Sequence, residues 1–447
     1  MNPLCLIEES AKNFGDSVAL YDLSSERKVR YRELPDFLRL VTKSASEWGA
    51  SPLVTVMPTS FDHVALILAG CLAGRPVAPL SPRLPRMEIL RRAAFVRAQG
   101  IYGVSRFEKM DSLRWELKDV GTLLYTSGSS GTPKVLAHRW GAHLASAAGA
   151  EERIPLAPGC GWLLSLPLHH VSGISVLIRC LASGATIVIP DPSLPLEAQI
   201  SNQAITHLSV VALQLERLLV AQAPLHRLNA VLAGGGPISA TLVHRSIESG
   251  VPLHLTYGMT ETASQITTTE KLTTCPSPIH AGMPLPGREI RLSASGEVQV
   301  RGGILATGVL NSSGCLDPIA DSSGWASTGD LGILNENNEL ILLGRRDRMI
   351  ISGGENIHPE AIEAILSDVP SVVRVAVVGI AHSFYGMRPV AFVAGDVEAE
   401  HLRDFLAERV EKFAIPDFFI PWPDTIPIDD AKIDYTQLAR LAAIMTH

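Results

Sequence analysis

The sequence predicts an α/β protein: a large N-terminal domain of helix-covered, mostly parallel sheets with a small β-rich subdomain, then a C-terminal α+β lid domain. Three observations predict it. Strand-length apolar runs alternate with helical stretches, as at 54–58, 62–72 and 77–80, and that order implies parallel strands joined by crossover helices. Near Gly282 the texture changes to short alternating stretches between glycine turns, the mark of a small antiparallel sheet. Beyond Asp347 a further mixed set of helix and strand patterns begins, long enough to fold around its own core.

In chain order, residues 1–50 read as a helix, a short hairpin and a second helix, with 29–34 an alternating strand running into a helix start. After the strand at 77–80 come a strand at 162–166, a helix at 170–182 and a strand at 185–189. Strands at 208–211, 230–233 and 254–257 follow, each entering a loop of Gly, His or Thr. Ligands of open α/β sheets collect at such carboxyl ends. The β-rich part holds strands at 289–292, 297–300 and 340–344. Residues 352–356 read as a turn. Pro359 then opens a helix with Glu360 and Glu363 early in it, an arrangement that suits the helix dipole. Strands at 372–378 and 389–393 complete the lid.

Bulk composition excludes several classes. Hydrophobic residues make up 46% and charged ones 19% of 447 residues, the balance of a globular enzyme with large cores and more than one domain. A net charge of −7 without blocks of like charge argues against a nucleic-acid surface. Six cysteines are scattered without a CxxC pair or a nearby His cluster, which argues against a zinc site or disulfide framework and suits a reducing cytoplasm. The N-terminus lacks the basic start and apolar core of a signal peptide. The longest apolar run, 64–73, is broken by Gly70 and is too short for a membrane span. A cytoplasmic enzyme without nucleic-acid or membrane partners is expected; a homo-oligomer stays open.

Chemistry concentrates in a few stretches. Thr126-Ser127-Gly128-Ser129-Ser130-Gly131-Thr132-Pro133-Lys134 alternates hydroxyls and glycines and ends on a lysine. Glycines bring backbone N–H groups close to an anion, and the hydroxyls and ammonium add donors and charge. A polyphosphate is the natural ligand. The spacing is not that of a Walker loop, and the apolar flanks 123–125 and 135–137 read as strands rather than linker. Tyr257-Gly258-Met259-Thr260-Glu261-Thr262 follows a strand, and Glu261 could hold Mg²⁺, a hard cation that shares carboxylate and phosphate oxygens. Gly234-Gly235-Gly236 either makes a tight turn or lets a flat ligand lie on bare backbone. Asp330 could accept both hydroxyls of a ribose, or pair with Arg345 as an ordinary surface bridge. Lys432 by itself reads as a solvated charge.

Together the hydroxyl loop and the Tyr257–Thr262 hexad resemble the adenylate-forming enzymes: acyl- and aryl-CoA ligases, peptide-synthetase adenylation domains and firefly luciferase. The resemblance covers nearly the whole chain. It implies ATP, Mg²⁺ and coenzyme A as partners of a small-molecule carboxylic acid. By resemblance the hydroxyl loop with Lys134 binds the phosphates, Gly234, Gly235 and Gly236 border adenine and the acyl group, and Tyr257 with Gly258 packs on adenine. Thr260 contacts the α-phosphate, Glu261 binds the metal, Asp330 the ribose and Arg345 the nucleotide. Lys432 stabilises the transition state of adenylation. Asp347 is the hinge of a mobile lid that divides 1–346 from 347–447, and the Gly353-Gly354 turn shapes the coenzyme A channel. Three departures stand out: Val135 after Lys134 and Ala431 before Lys432, where glycine is usual, and Ala212-Leu213 before Gln214, where Pro-Thr is usual.

No carboxylate lies between Leu166 and Arg179, where peptide-synthetase domains place the partner of an amino-acid ammonium. Neutral polar groups and histidines there suit an acid with extra oxygens. The fuller resemblance, through 164–168, 170–173, 260–266 and 282–287, is to the o-succinylbenzoate–CoA ligase branch of menaquinone biosynthesis. It implies His170 in the acyl site, with both a catalytic and a substrate-binding role. Ser172, Ser264 and Gln265 become candidates for holding the second carboxylate. Arg179 either joins them or points away along its helix. Another aryl- or acyl-CoA ligase, a stand-alone adenylation domain loading a carrier protein, and an inactive nucleotide-binding relative stay open.

Overall fold

The computed structural model describes residues 3–45, 51–103, 107–109, 117, 119–126, 134–428 and 433–446. They build four sheets. At the centre of the eight-stranded sheet, Leu53–Val56 pairs in parallel with Val77–Leu80 and Gly100–Gly103, and Val77–Leu80 with Thr122–Thr126. The nine-stranded sheet has a parallel body of Val18–Asp22, Thr186–Ile189, Gly161–Leu163, His207–Val210, Ala230–Ala233 and Leu253–Met259. Antiparallel strands close its two edges.

One core joins the two sheets. Helices Phe61–Leu72 and Val171–Ser183 are buried along most of their length. They pack with Leu53 and Leu124 of one sheet and Leu20, Trp162 and Ile187 of the other. A helix apolar on nearly every face must be covered on both sides, and the layer between two sheets does this. The strand–helix–strand reading is therefore correct, although the strands read at 54–58, 162–166 and 185–189 are shorter, Leu53–Val56, Gly161–Leu163 and Thr186–Ile189.

Three differences follow from long-range pairing. The first hairpin joins the nine-stranded sheet through Thr186–Ile189. Ser264–Thr268, where the sequence reading has no strand, pairs antiparallel with Leu253–Met259. The β-rich region divides. Arg288–Leu292, Glu297–Gly302, Ala326–Leu334 and Leu340–Arg345 make an antiparallel sheet, but Gly308–Leu310 crosses to pair with Lys134–His138 of the eight-stranded sheet.

Strands from Ile350 onward form their own five-stranded sheet, centred on the hairpin of Val372–His382 with Gly386–Gly395. The 352–356 stretch is a two-residue hairpin, with Ser352 paired to Glu355 and Gly353 and Gly354 at φ +60° and +92°. Two left-handed residues match the twist of the flanking strands. Pro359 does open helix Pro359–Leu366. Its acids do more than suit the dipole: Arg348 bonds Glu360 at 2.9 Å and Glu363 at 2.6 Å, and Glu363 also accepts Val377 N–H at 2.7 Å. Among the described residues no helix is long and apolar enough to cross a membrane.

Burial lowers several imidazoles below their usual 6.5: His63, His138 and His207 to about 4 and His169 to about 3. The unfolded chain takes up protons in that window which the native chain refuses, so stability rises with pH from about 4 to 6.5. Urea unfolding at about pH 5 is expected to show a clearly lower midpoint than at about pH 7.5; equal midpoints would remove this reading.

Candidate active site

The end of strand Leu253–Met259 is bent by a register shift between Tyr257 and Gly258. Gly258 is required there, because a Cβ would stand 2.0 Å from Ser264 O. Thr260–Thr262 then makes one 3₁₀ turn. Ala263 and Ser264 return the chain at φ +47° and +104°, costly values for non-glycine residues that concentrate at working sites. The buried Thr262 hydroxyl stitches the turn, donating to Ser264 O at 2.9 Å and accepting Met259 N–H at 3.3 Å. Thr260 and Glu261 are thereby lifted from the sheet edge, half-buried.

Behind them lies a chain of polar contacts. Tyr257 OH donates to Asp330 Oδ2 at 2.6 Å, and Arg345 Nη1 reaches Asp330 Oδ1 at 3.2 Å. The same guanidinium forks onto Asp347 with two 3.0 Å bonds. Burial pushes the Asp330 carboxyl above its usual value, while Tyr257 and Arg345 pull against it. This is not the ordinary surface bridge that the pair alone suggests, since the Asp330 side chain is only 16% exposed. Glu297, missed in the sequence, braces the neighbours of Asp330 and Arg345. It accepts Gly329 N–H at 3.0 Å and Arg346 Nη1 at 2.8 Å.

A third group lies on helix Val171–Ser183. Arg179, which the sequence left open, turns inward. It is 4% exposed, lies 5.2 Å over the Trp162 ring and donates to Gln265 Oε1. Its Nε has no partner. Gln265 Nε2 donates to Thr268 Oγ1 at 2.7 Å, and a second buried arginine, Arg288, donates to Gln265 O. Burial lowers both guanidinium groups to about 10. Among the described residues no carboxylate bridges either arginine. Arg288 was unread in the sequence, where nothing but its place after Gly287 marks it.

Two family models match: AMP-binding enzyme over residues 104–314 and AMP-binding enzyme C-terminal domain over 361–429. The 2-succinylbenzoate–CoA ligase of Escherichia coli strain K12 is 34% identical, with 94% of each chain covered. This chain belongs to the AMP-binding enzyme family. Two solved structures of o-succinylbenzoate–CoA synthetase from Bacillus subtilis are similar to it. One, in complex with the acyl-adenylate intermediate OSB-AMP, has a TM-score of 0.85 at 26% identity, with 97% of each chain covered. The other, with ATP and magnesium ion, has 0.84 at 26% identity, covering 97% of this chain and 98% of that one.

For a member of the AMP-binding enzyme family, the remaining candidate residues fall as follows. Thr126 and Lys134 face each other as the last ladder pair of their hairpin, so they stand at the mouth of the hydroxyl loop. Ser127, Gly128, Ser129, Ser130, Gly131, Thr132 and Lys432 lie outside the described residues. Gly234 backs onto Thr256, where a Cβ would stand 2.7 Å from the carbonyl oxygen. Gly235 has φ +83°, and Gly236 opens to free space. His170 caps helix Val171–Ser183 and is exposed, its ring 4.4 Å from that of His169. Ser172 and Ser264 are half-buried. Asp347 holds Arg345, and Gly353 and Gly354 are exposed.

Asp330→Asn keeps the shape but removes the charge facing Arg345. AMP affinity, read by calorimetry, is expected to fall about tenfold or more, as for loss of a charged hydrogen-bond partner; unchanged affinity would detach Asp330 from the nucleotide.

Proposed function

We propose that this chain is an o-succinylbenzoate–CoA ligase. An oxygen of the succinyl carboxylate attacks the α-phosphorus of ATP, and the bond to pyrophosphate breaks. The thiol of coenzyme A then attacks the acyl carbon, and AMP leaves. One observation carries the substrate: Arg179 is buried against the Trp162 ring and the neutral amide of Gln265, with no carboxylate beside it among the described residues. A buried cation without an anion is costly, and the ring carboxylate of o-succinylbenzoate supplies that anion. A monoacid does not. The names of the relatives point the same way.

In this reading the hydroxyl loop and Lys134 hold the phosphates, Asp330 takes the ribose hydroxyls and Arg345 fixes Asp330. Tyr257 and the Gly234–Gly236 backbone flank adenine, and Thr260 meets the α-phosphate. Glu261 is the magnesium ligand. Among the described residues no group of three or more His, Cys, Asp or Glu is placed to hold a metal ion, and magnesium needs none, since it takes one or two carboxylates and otherwise water and phosphate oxygens. When bound, it neutralises phosphate charge. Lys432 stabilises the charge that builds at the α-phosphate. The chain divides into 1–346 and 347–447, turning about Asp347, so that Gly353 and Gly354 line the thiol channel in the second step. Ser172, Ser264 and His170 border the acyl group. The enzyme works in the cytoplasm, beside its co-substrates.

ATP–pyrophosphate exchange tests this with o-succinylbenzoate and with 3-benzoylpropionate, which lacks the ring carboxylate. The diacid is expected to be favoured about 10- to 100-fold in kcat/KM, and Arg179→Gln to erase most of that preference, as for loss of a charged hydrogen bond. Equal use of the monoacid by the wild-type enzyme would sink the substrate assignment. Lys432→Ala is expected to abolish exchange while thioester formation from preformed acyl-AMP persists; equal loss of both steps would refute its role.

A further inference from the structure

We infer that His138 is a positioning residue for adenylation, acting through the turn that carries Glu261. The inference rests on the reading that Glu261 is the metal ligand. His138 ends strand Lys134–His138 and is fully buried. Its Nε2 lies 2.6 Å from Thr260 O. A carbonyl can only accept, so Nε2 carries the proton and Nδ1 is the acceptor. Nδ1 faces Thr122 Oγ1 at 3.4 Å, and that hydroxyl lies 2.9 Å from His143 Nε2. One run of donors satisfies every contact: His143 Nε2–H to Thr122, Thr122 O–H to His138 Nδ1, and His138 Nε2–H to Thr260 O. His143 Nδ1 is then a bare acceptor, and it has no partner. Both rings are neutral, as burial demands.

The contact sits where the two large sheets meet. Thr260 O belongs to the peptide that enters Glu261. The carbonyl that leaves Glu261 accepts Ala306 N–H at 2.8 Å, and the next residue, Thr307, donates to Ala137 O at 2.8 Å. Both peptide planes around Glu261 are thus referred to one strand, whose other end is Lys134. That strand sets the spacing between the Glu261 carboxylate and the Lys134 ammonium, groups that must grip one triphosphate together. Ala263 N–H also reaches Thr260 O, at 3.2 Å, so losing His138 frees the peptide to tilt without leaving its oxygen bare.

Three variants test this. His138→Leu removes the donor. His138→Asn keeps a polar group that reaches Thr122 but falls short of Thr260, which guards against a folding failure in the leucine variant. His138→Gln carries its amide nitrogen near the Nε2 position. Exchange would be measured against magnesium concentration, and thioester formation from preformed acyl-AMP measured alongside. In the leucine and asparagine variants the magnesium needed for half-maximal exchange is expected to rise about 10- to 100-fold, the usual cost of losing a group that orients a metal ligand, with the thioester step nearly unchanged. Glutamine is expected to restore most of the exchange. Equal loss in both steps, or an unmoved magnesium dependence while Glu261→Gln does move it, overturns the role of His138. If Glu261→Gln leaves the magnesium dependence unmoved, the metal assignment itself fails and the inference falls with it.

Discussion

The Asp330 carboxylate is the contact on which the rest of the site depends. One oxygen accepts the Tyr257 phenol from the nine-stranded sheet, and the other meets Arg345 at the end of the four-stranded sheet. Through Arg345 it reaches Asp347, where the chain passes toward its last sheet. A buried carboxylate is tolerable only when its lone pairs are used. Here each partner comes from a different part of the chain, so satisfying the acid also assembles the site. Glu297 repeats the device one step further back, tying Gly329 to Arg346.

Arg179 shows the opposite economy. Its charge is buried against an aromatic ring and an amide, while Arg288 adds a second positive charge nearby. Gln265 mediates between them, its side-chain oxygen toward one guanidinium and its backbone oxygen toward the other. Fixed dipoles of this kind soften the cost of a lone cation without cancelling it. The Arg179 charge is therefore softened but not cancelled among the described residues, and the proposed preference for a diacid rests on that remainder.

Much of this was legible in the sequence. The strand–helix alternation revealed the parallel sheets, because local periodicity reports local structure. The hexad at Tyr257 and the pair Asp330 and Arg345 were legible as chemistry, and the structure brings them together. Orientation was not legible: Arg179 stands on a helix buried along most of its length, and only its bond to Gln265 of Ser264–Thr268 shows which way it turns. Pairing between distant segments was not legible either. The crossing of Gly308–Leu310 and the bond from His138 to Thr260 join residues more than a hundred positions apart. Nor did composition betray the left-handed Ala263 and Ser264, since neither residue is chosen for such angles by itself.

The strand at Gly308–Leu310 has a consequence for how the molecule is made. It pairs with Lys134–His138 in a sheet whose centre is built from residues before 127. The first hairpin likewise waits for Thr186–Ile189. A ribosome releasing this chain from its N-terminus therefore exposes unfinished strand edges until the later segments emerge, and such edges invite pairing with other chains. The large region cannot mature piece by piece, whereas the final sheet draws all its strands from Ile350 onward and can close last, on its own.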